Sequence, residues 1–145
     1  MFDTYHSKEC GSFNKSVTDL KWNCDGTYLA VGVTDKSVKI HSYESNNLKL
    51  IQTITCINSP TQICWHPTNL IRFAIISDER TIDIWDIKSQ QAIIKITSSG
   101  GNINLSWSPD GKYIAVGNKS DNIIIVEVGS GKLLKKYKSP YGKNI

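Results

Sequence analysis

An all-β chain of three tandem four-stranded antiparallel units is what the sequence predicts, and three observations carry that prediction. Trp22, Trp65 and Trp107 recur 43 and 42 residues apart. A turn built from Asp, Asn, Gly or Pro follows each of them at once. Beyond each turn come short apolar runs with the alternation of β-strands. Four strands in a period of about 42 residues is the arithmetic of a β-propeller blade. A β-sandwich also spaces its strands closely, but nothing in a sandwich requires Trp, turn and third strand to recur at one fixed period.

Within each unit the first strand alternates. Leu20 and Trp22 point one way and Asp19 the other; Ile63 and Trp65 oppose Gln62, and Leu105 and Trp107 oppose Asn104. This places all three repeat tryptophans in the core. The turns are Asn23-Cys24-Asp25-Gly26, His66-Pro67-Thr68-Asn69 and Ser108-Pro109-Asp110-Gly111. Asp-Gly supplies positive backbone angles at low steric cost, and Pro sets the angle at which the chain enters, so each turn reads as a hairpin. Second strands follow at 28–32, 73–76 and 113–117, third strands at 38–41, 82–85 and 123–126, and more polar fourth strands at 50–54, 92–96 and 133–137. The organisation expected is an N-terminal segment at 1–11, blades at 12–55, 56–98 and 99–138, and a tail at 139–145.

Composition narrows the function classes. The 145 residues are 39% hydrophobic and 21% charged, ordinary for one globular domain, and a net charge of +4 is too mild to require nucleic acid as a partner. Cys10, Cys24, Cys56 and Cys64 form no metal-binding spacing, so neither metal nor cofactor is expected. No window approaches the roughly 20 apolar residues of a membrane span, and no apolar signal region opens the chain; an intracellular protein without a membrane partner is expected. His6, His41 and His66 belong to no metalloprotease, nucleophile-elbow or phosphate-loop motif. Asp83 and Asp86 lie three apart on one strand and face opposite ways, so they are not an acid–base pair. The expectation is a non-enzyme without a small-molecule substrate.

The residues 107–111, Trp-Ser-Pro-Asp-Gly, together with His66-Pro67 after Trp65 and the dipeptide Trp85-Asp86, resemble the WD-repeat family over roughly residues 12–138. That resemblance implies a propeller of roughly seven blades, of which three are present here, acting as a protein-interaction scaffold. Only one copy of the dipeptide is literal, since His41-Ser42 and Val126-Glu127 fill the other two slots. Family blades often carry a Gly-His pair that joins an Asp in the turn before the third strand. The pair is missing from all three repeats, while Asp35 and Asp121 match the Asp position and Glu79 replaces it. Trp85 is expected to pack between blades rather than anchor a partner. Within the family, residues 63–69, 81–89 and 101–119 are similar to the branch found in the THO complex of the transcription-export assembly. The similarity implies a nuclear subunit of a multi-protein THO/TREX-like complex in messenger-RNA processing and export, with RNA contacted at most indirectly. The alternative is an adaptor of another assembly, such as a histone-binding complex or a ubiquitin-ligase substrate receptor.

Two surface features are candidates for binding. Lys36, Arg80 and Lys119 occupy the turn between second and third strands in successive blades, where stacking gathers them on one face toward an acidic partner or phosphate backbone. The competing reading is a solvated loop with routine charges. Lys132, Lys135, Lys136, Lys138 and Lys143, with Tyr137 and Tyr141, form a basic tail without an RNP-type aromatic pair, read as an outer strand and a solvated or truncated end. Three blades leave a ring open, and open faces expose apolar surface. The sequence is therefore expected to be a piece of a longer chain; the alternative is that other chains complete the ring.

Overall fold

The computed structural model describes residues 15–77, 80–98 and 101–138, and every regular element within them is a β-strand. The first sheet runs β1 (Val17–Trp22), β2 (Tyr28–Val33), β3 (Ser37–Glu44) and β4 (Asn47–Thr55). The second is β5 (Pro60–Trp65), β6 (Arg72–Ser77), β7 (Thr81–Asp86) and β8 (Ile94–Thr97), and the third is β9 (Asn102–Trp107), β10 (Tyr113–Asn118), β11 (Asn122–Glu127) and β12 (Lys132–Lys138). Each strand pairs antiparallel with its neighbour in sequence, so each sheet is a four-stranded meander. Three elements depart most from the sequence expectation. The strand expected at 92–96 shortens to Ile94–Thr97, whereas β3 and β4 extend past their expected ends to a tight turn. Ser45 and Asn46 hold positive φ of 51° and 62° in that turn, the signature of a two-residue hairpin whose twist matches the strands.

Register explains why the core lies between sheets and not within one. Ile63 pairs with Ile75 and Trp65 with Phe73, so these four side chains share one face of the second sheet; Cys64 pairs with Ala74 on the other. The first face meets Ala30, Val38, Ile40 and Ile54 of the first sheet, and Trp85 is buried in the same cluster. The second face contributes Ala74, Ile76, Ile82, Ile84 and Ile96 to a cluster completed by Leu105, Trp107, Ile114, Val116, Ile124 and Val126 of the third sheet. Burying one such branched side chain contributes about 1.5–3 kcal/mol, so each blade owes its stability to the next.

The first strands line up side by side, β1 against β5 and β5 against β9. Two hydrogen bonds recur at each of these contacts. The Trp65 indole Nε1–H donates to the Lys21 carbonyl at 2.8 Å, and the Trp107 indole to the Cys64 carbonyl at 2.9 Å. The Ile63 amide donates to Asp19 Oδ2 at 2.8 Å, and the Leu105 amide to Gln62 Oε1 at 2.7 Å. Asp19 and Gln62, read from the sequence only as the outward partners of an alternation, are thus the acceptors that lock one blade to the next.

The expectation that all three repeat tryptophans are core requires a correction. Trp65 and Trp107 are 7% and 9% exposed, but Trp22 is 49% exposed. Among the described residues its ring packs edge-on against Tyr43, with centroids 5.4 Å apart. Alternation assigns a face, but burial needs a sheet opposite that face, and no sheet precedes β1 among the described residues. Trp107→Phe removes the indole that donates to the Cys64 carbonyl inside a packed joint and is expected to cost about 1–3 kcal/mol from the lost bond and the emptied volume. Trp22→Phe is expected to stay within about 0.5 kcal/mol of the unsubstituted chain. Urea unfolding of both variants checks the contrast.

Candidate interaction rim

The turns between second and third strands sit at one rim of the three sheets. Lys36 accepts the Cys56 amide on its carbonyl at 2.7 Å, and Arg80 accepts the Ser98 amide in the same way at 2.6 Å, so both hold the last position of their turns. In the third blade that position belongs to Asp121. Its amide donates to the Asn118 carbonyl at 3.1 Å, as the Lys36 amide does to Val33 at 3.2 Å, and both residues carry positive φ, 57° and 68°. Lys119 stands at the first position, matching Thr34: the Lys119 amide donates to Gly101, and the Thr34 amide to Ser16. The structure therefore brings Lys36, Arg80 and Lys119 to one rim, all exposed, but at two different turn positions.

The same register separates the acidic residues. Asp35 occupies the middle of its turn and accepts a hydrogen bond from the Ser37 hydroxyl, whereas Ser120 is the middle residue of the third-blade turn. Asp35 and Asp121, matched in the sequence, thus lie one turn position apart. Buried Asn118 takes over the local bonding in blade three, its Oδ1 accepting the Ser120 and Asn122 amides, both at 3.0 Å. Anchoring the comparison on the last residue of each second strand, Val33 and Asn118, recovers this register. Glu79, Gly100 and the residues before 15 and after 138 lie outside the described residues.

Trp85 and Asp86 divide their roles. Trp85 is buried between the first two blades. Asp86 stays at the surface, where its Oδ1 accepts Arg72 Nε–H at 3.1 Å across the paired positions of β6 and β7. Asp83 faces the other way and pairs with Lys95 at 3.8 Å, and burial raises its carboxyl above the usual carboxylate range. Beside it a cavity of about 20 Å3, lined by Cys56, Ile75, Ser77 and Thr81, has room for one water. Burial, and secondarily the Asp83 charge, push the Cys56 thiol up to about 11, leaving it protonated at neutral pH.

The opposite rim carries the first hairpin turns, and here each blade also touches the next. Buried Asn23 donates from Nδ2 to the Leu70 carbonyl at 2.9 Å while its Oδ1 accepts the Tyr28 amide at 3.1 Å. His66 Nδ1 accepts the Thr68 amide at 3.1 Å and the Asn69 amide at 2.9 Å, which fixes the ring 4.9 Å from that of Trp107. Against it lies Gly111 at φ +70°, where a Cβ would sit 2.0 Å from His66 Nε2; Gly26, with φ +77° in the first blade, would meet nothing within 4 Å.

Similarity to known proteins follows this geometry. The family described as the Anaphase-promoting complex subunit 4 WD40 domain matches residues 5–68 and 70–144. The chain belongs to the WD40 family. THO complex subunit 3 of Arabidopsis thaliana is 32% identical to this WD40 chain over 99% of its length and 46% of the relative. WD repeat-containing protein AAC3 of Dictyostelium discoideum is 27% identical over 94% of the chain and 33% of the relative. In fold it is similar to the WD40 domain from Toxoplasma gondii coronin, with a TM-score of 0.78 at 17% identity over 86% of the chain and 34% of that domain. The chain spans less than half the length of each of the three. Family placement points to a non-catalytic repeat protein of scaffold type.

Two outcomes follow from the His66 contact. Burial, then the nearby Arg72 charge, hold the His66 imidazole below its ordinary 6.5. A depressed folded value means that the unfolded chain takes up the proton first. The stability His66 contributes is then complete above about pH 6.5 and is lost as pH falls through the lower folded value. His41, lowered by burial, acts with the same sign. His66→Asn keeps an acceptor near the Thr68 and Asn69 amides and removes the titration. Thermal unfolding between pH 7.5 and 5.5 is expected to give a smaller drop for this variant than for the unsubstituted chain. Gly26→Ala is expected to cost about 1–2 kcal/mol, the left-handed backbone alone, and Gly111→Ala more, because the His66 ring must also move. Chemical denaturation of the two variants measures the difference.

Proposed function

We propose that the chain is a non-catalytic docking scaffold of a nuclear assembly of the THO messenger-RNA export type. The observation that carries this reading is the 32% identity to THO complex subunit 3 along 99% of the chain, which includes the strands and both rims. Packing supports a scaffold: the facing apolar surfaces of adjacent blades are spent on one another, and the rims are the surface that all three blades hold out to other molecules. The exposed cations Lys36, Arg80 and Lys119 face protein subunits with acidic surface, and RNA is reached through those subunits.

A second reading is an adaptor of another complex, a histone-binding assembly or a ubiquitin ligase; the match to the Anaphase-promoting complex subunit 4 WD40 domain favours it. Affinity capture of the tagged chain from nuclear extract, with mass spectrometry of what is retained, tests the two. THO subunits are the expected companions. Recovery of histone or ligase subunits in their place overturns the first reading. The combined charge reversal Lys36→Glu, Arg80→Glu and Lys119→Glu is expected to slow association with the captured subunits about tenfold at low salt while the melting temperature stays unchanged. Surface plasmon resonance and thermal unfolding read these two quantities.

A further inference from the structure

A strand that ends a sheet has one edge paired and the other turned to solvent. β4, β8 and β12 end the three sheets. Neighbouring blades meet through their inner strands, β1 and β2 against β5, and β5 and β6 against β9. β4 and β8 each have a following blade beside them, and its strands pair with neither, so an outer edge stays on the circumference whether or not another blade stands alongside. β12 differs from the other two in charge. Its seven residues, Lys132-Leu133-Leu134-Lys135-Lys136-Tyr137-Lys138, are all exposed, and four are lysines, where β4 has one lysine in nine residues. None of the four pairs with a carboxylate among the described residues, whereas Lys95 of β8 is held by Asp83.

Register gives this edge an apolar notch. Lys136 pairs with Ile124 and Leu133 with Val126, so both side chains lie on the face that Ile124 and Val126 turn toward blade two. Leu134 is the extra residue of a bulge and has no partner on β11. Ile124, Leu133, Leu134, Lys135 and Lys136 line an open groove of about 250 Å3, in which Leu133 and Leu134 are 48% and 47% exposed. Lysines along an edge oppose pairing with another copy of the same strand, because like charges would lie opposite one another. The same lysines select a segment that carries carboxylates.

We propose that β12 is the docking edge for an extended acidic segment of a partner protein, which adds to the third sheet as a further strand. Lys135–Lys138 supply backbone N–H and C=O groups for the ladder. The carboxylates of the segment face Lys135, Lys136 and Lys138, and one of its apolar side chains enters the groove beside the bulge. Affinity comes from the ladder and the anchor, and the charges choose the partner. A phosphate chain would meet the same lysines but leave the groove empty and the edge amides unused, which favours a peptide over RNA. This edge runs along the circumference, whereas Lys36, Arg80 and Lys119 sit at turns, so the two surfaces are tested separately.

Fluorescence anisotropy of a labelled synthetic peptide, with glutamate and threonine alternating around one central leucine, tests this against the 145-residue chain. Saturable binding is expected, with slowed amide exchange in β12. The same peptide with lysine for glutamate, and one with its backbone amides methylated, are each expected to bind at least about tenfold more weakly. In the chain, Lys135→Glu with Lys136→Glu is expected to weaken binding to a similar extent, and Lys36→Glu with Lys119→Glu to change it by less than about twofold. All four positions are exposed, and circular dichroism verifies that the sheets persist. No saturable binding, a methylated peptide that binds as tightly, exchange slowed away from β12, or an oligouridylate of equal charge that binds more tightly than the peptide would each overturn the proposal.

Discussion

The hydrogen-bonded contact between first strands is the constraint on which the rest of this structure depends. A four-stranded meander has two faces and no core of its own, so its apolar residues must be covered by a neighbouring sheet. The Trp65 and Trp107 indoles and the Asp19 and Gln62 side chains determine where that neighbour sits. Once β1, β5 and β9 are in place, the apolar second and third strands of adjacent blades meet without further instruction. The joint also sets the cost of its own absence, for Trp22, the one repeat tryptophan with no sheet before it among the described residues, is half exposed.

Spending the facing apolar surfaces on neighbouring blades leaves the two rims as surface that every blade shares, and the rims differ in character. One is stiffened by contacts that pass from blade to blade, such as Asn23 to the Leu70 carbonyl and His66 packed on Trp107 beside Gly111. The other carries the turns between second and third strands, where Lys36, Arg80, Lys119 and Asp121 are exposed among the described residues. Rigid support beneath exposed charge suits docking, because little order has to be created when a partner binds. Behind this rim Cys56 is held protonated at neutral pH, and the cavity beside Asp83 has room for one water.

Period, hairpin chemistry and alternation were legible in the residues themselves, because each is a local property of a strand or a turn. The spacing of Trp22, Trp65 and Trp107 marked the blades, Asp-Gly and His-Pro marked the first hairpins, and alternation set the faces of the first strands. Turn register was less legible. Asp35 and Asp121 look alike in sequence, yet the αL position that closes the turn holds Lys36 in one blade and Asp121 in the other, a difference of one residue that composition does not encode.

By itself, then, the sequence determined the number of blades, their strand order and the face to which each side chain belongs, since a period of two and a repeat of about 42 residues fix those. Only the tertiary structure decided which faces are covered. Trp22 and Trp107 occupy the same repeat position, and one is exposed while the other is buried and hydrogen-bonded to Cys64. The polar residues opposite them likewise became joint acceptors at Asp19 and Gln62 through contact with a second blade. The physical reason is that burial and hydrogen bonding between sheets belong to pairs of blades, and no property of a single repeat records whether its neighbour is there.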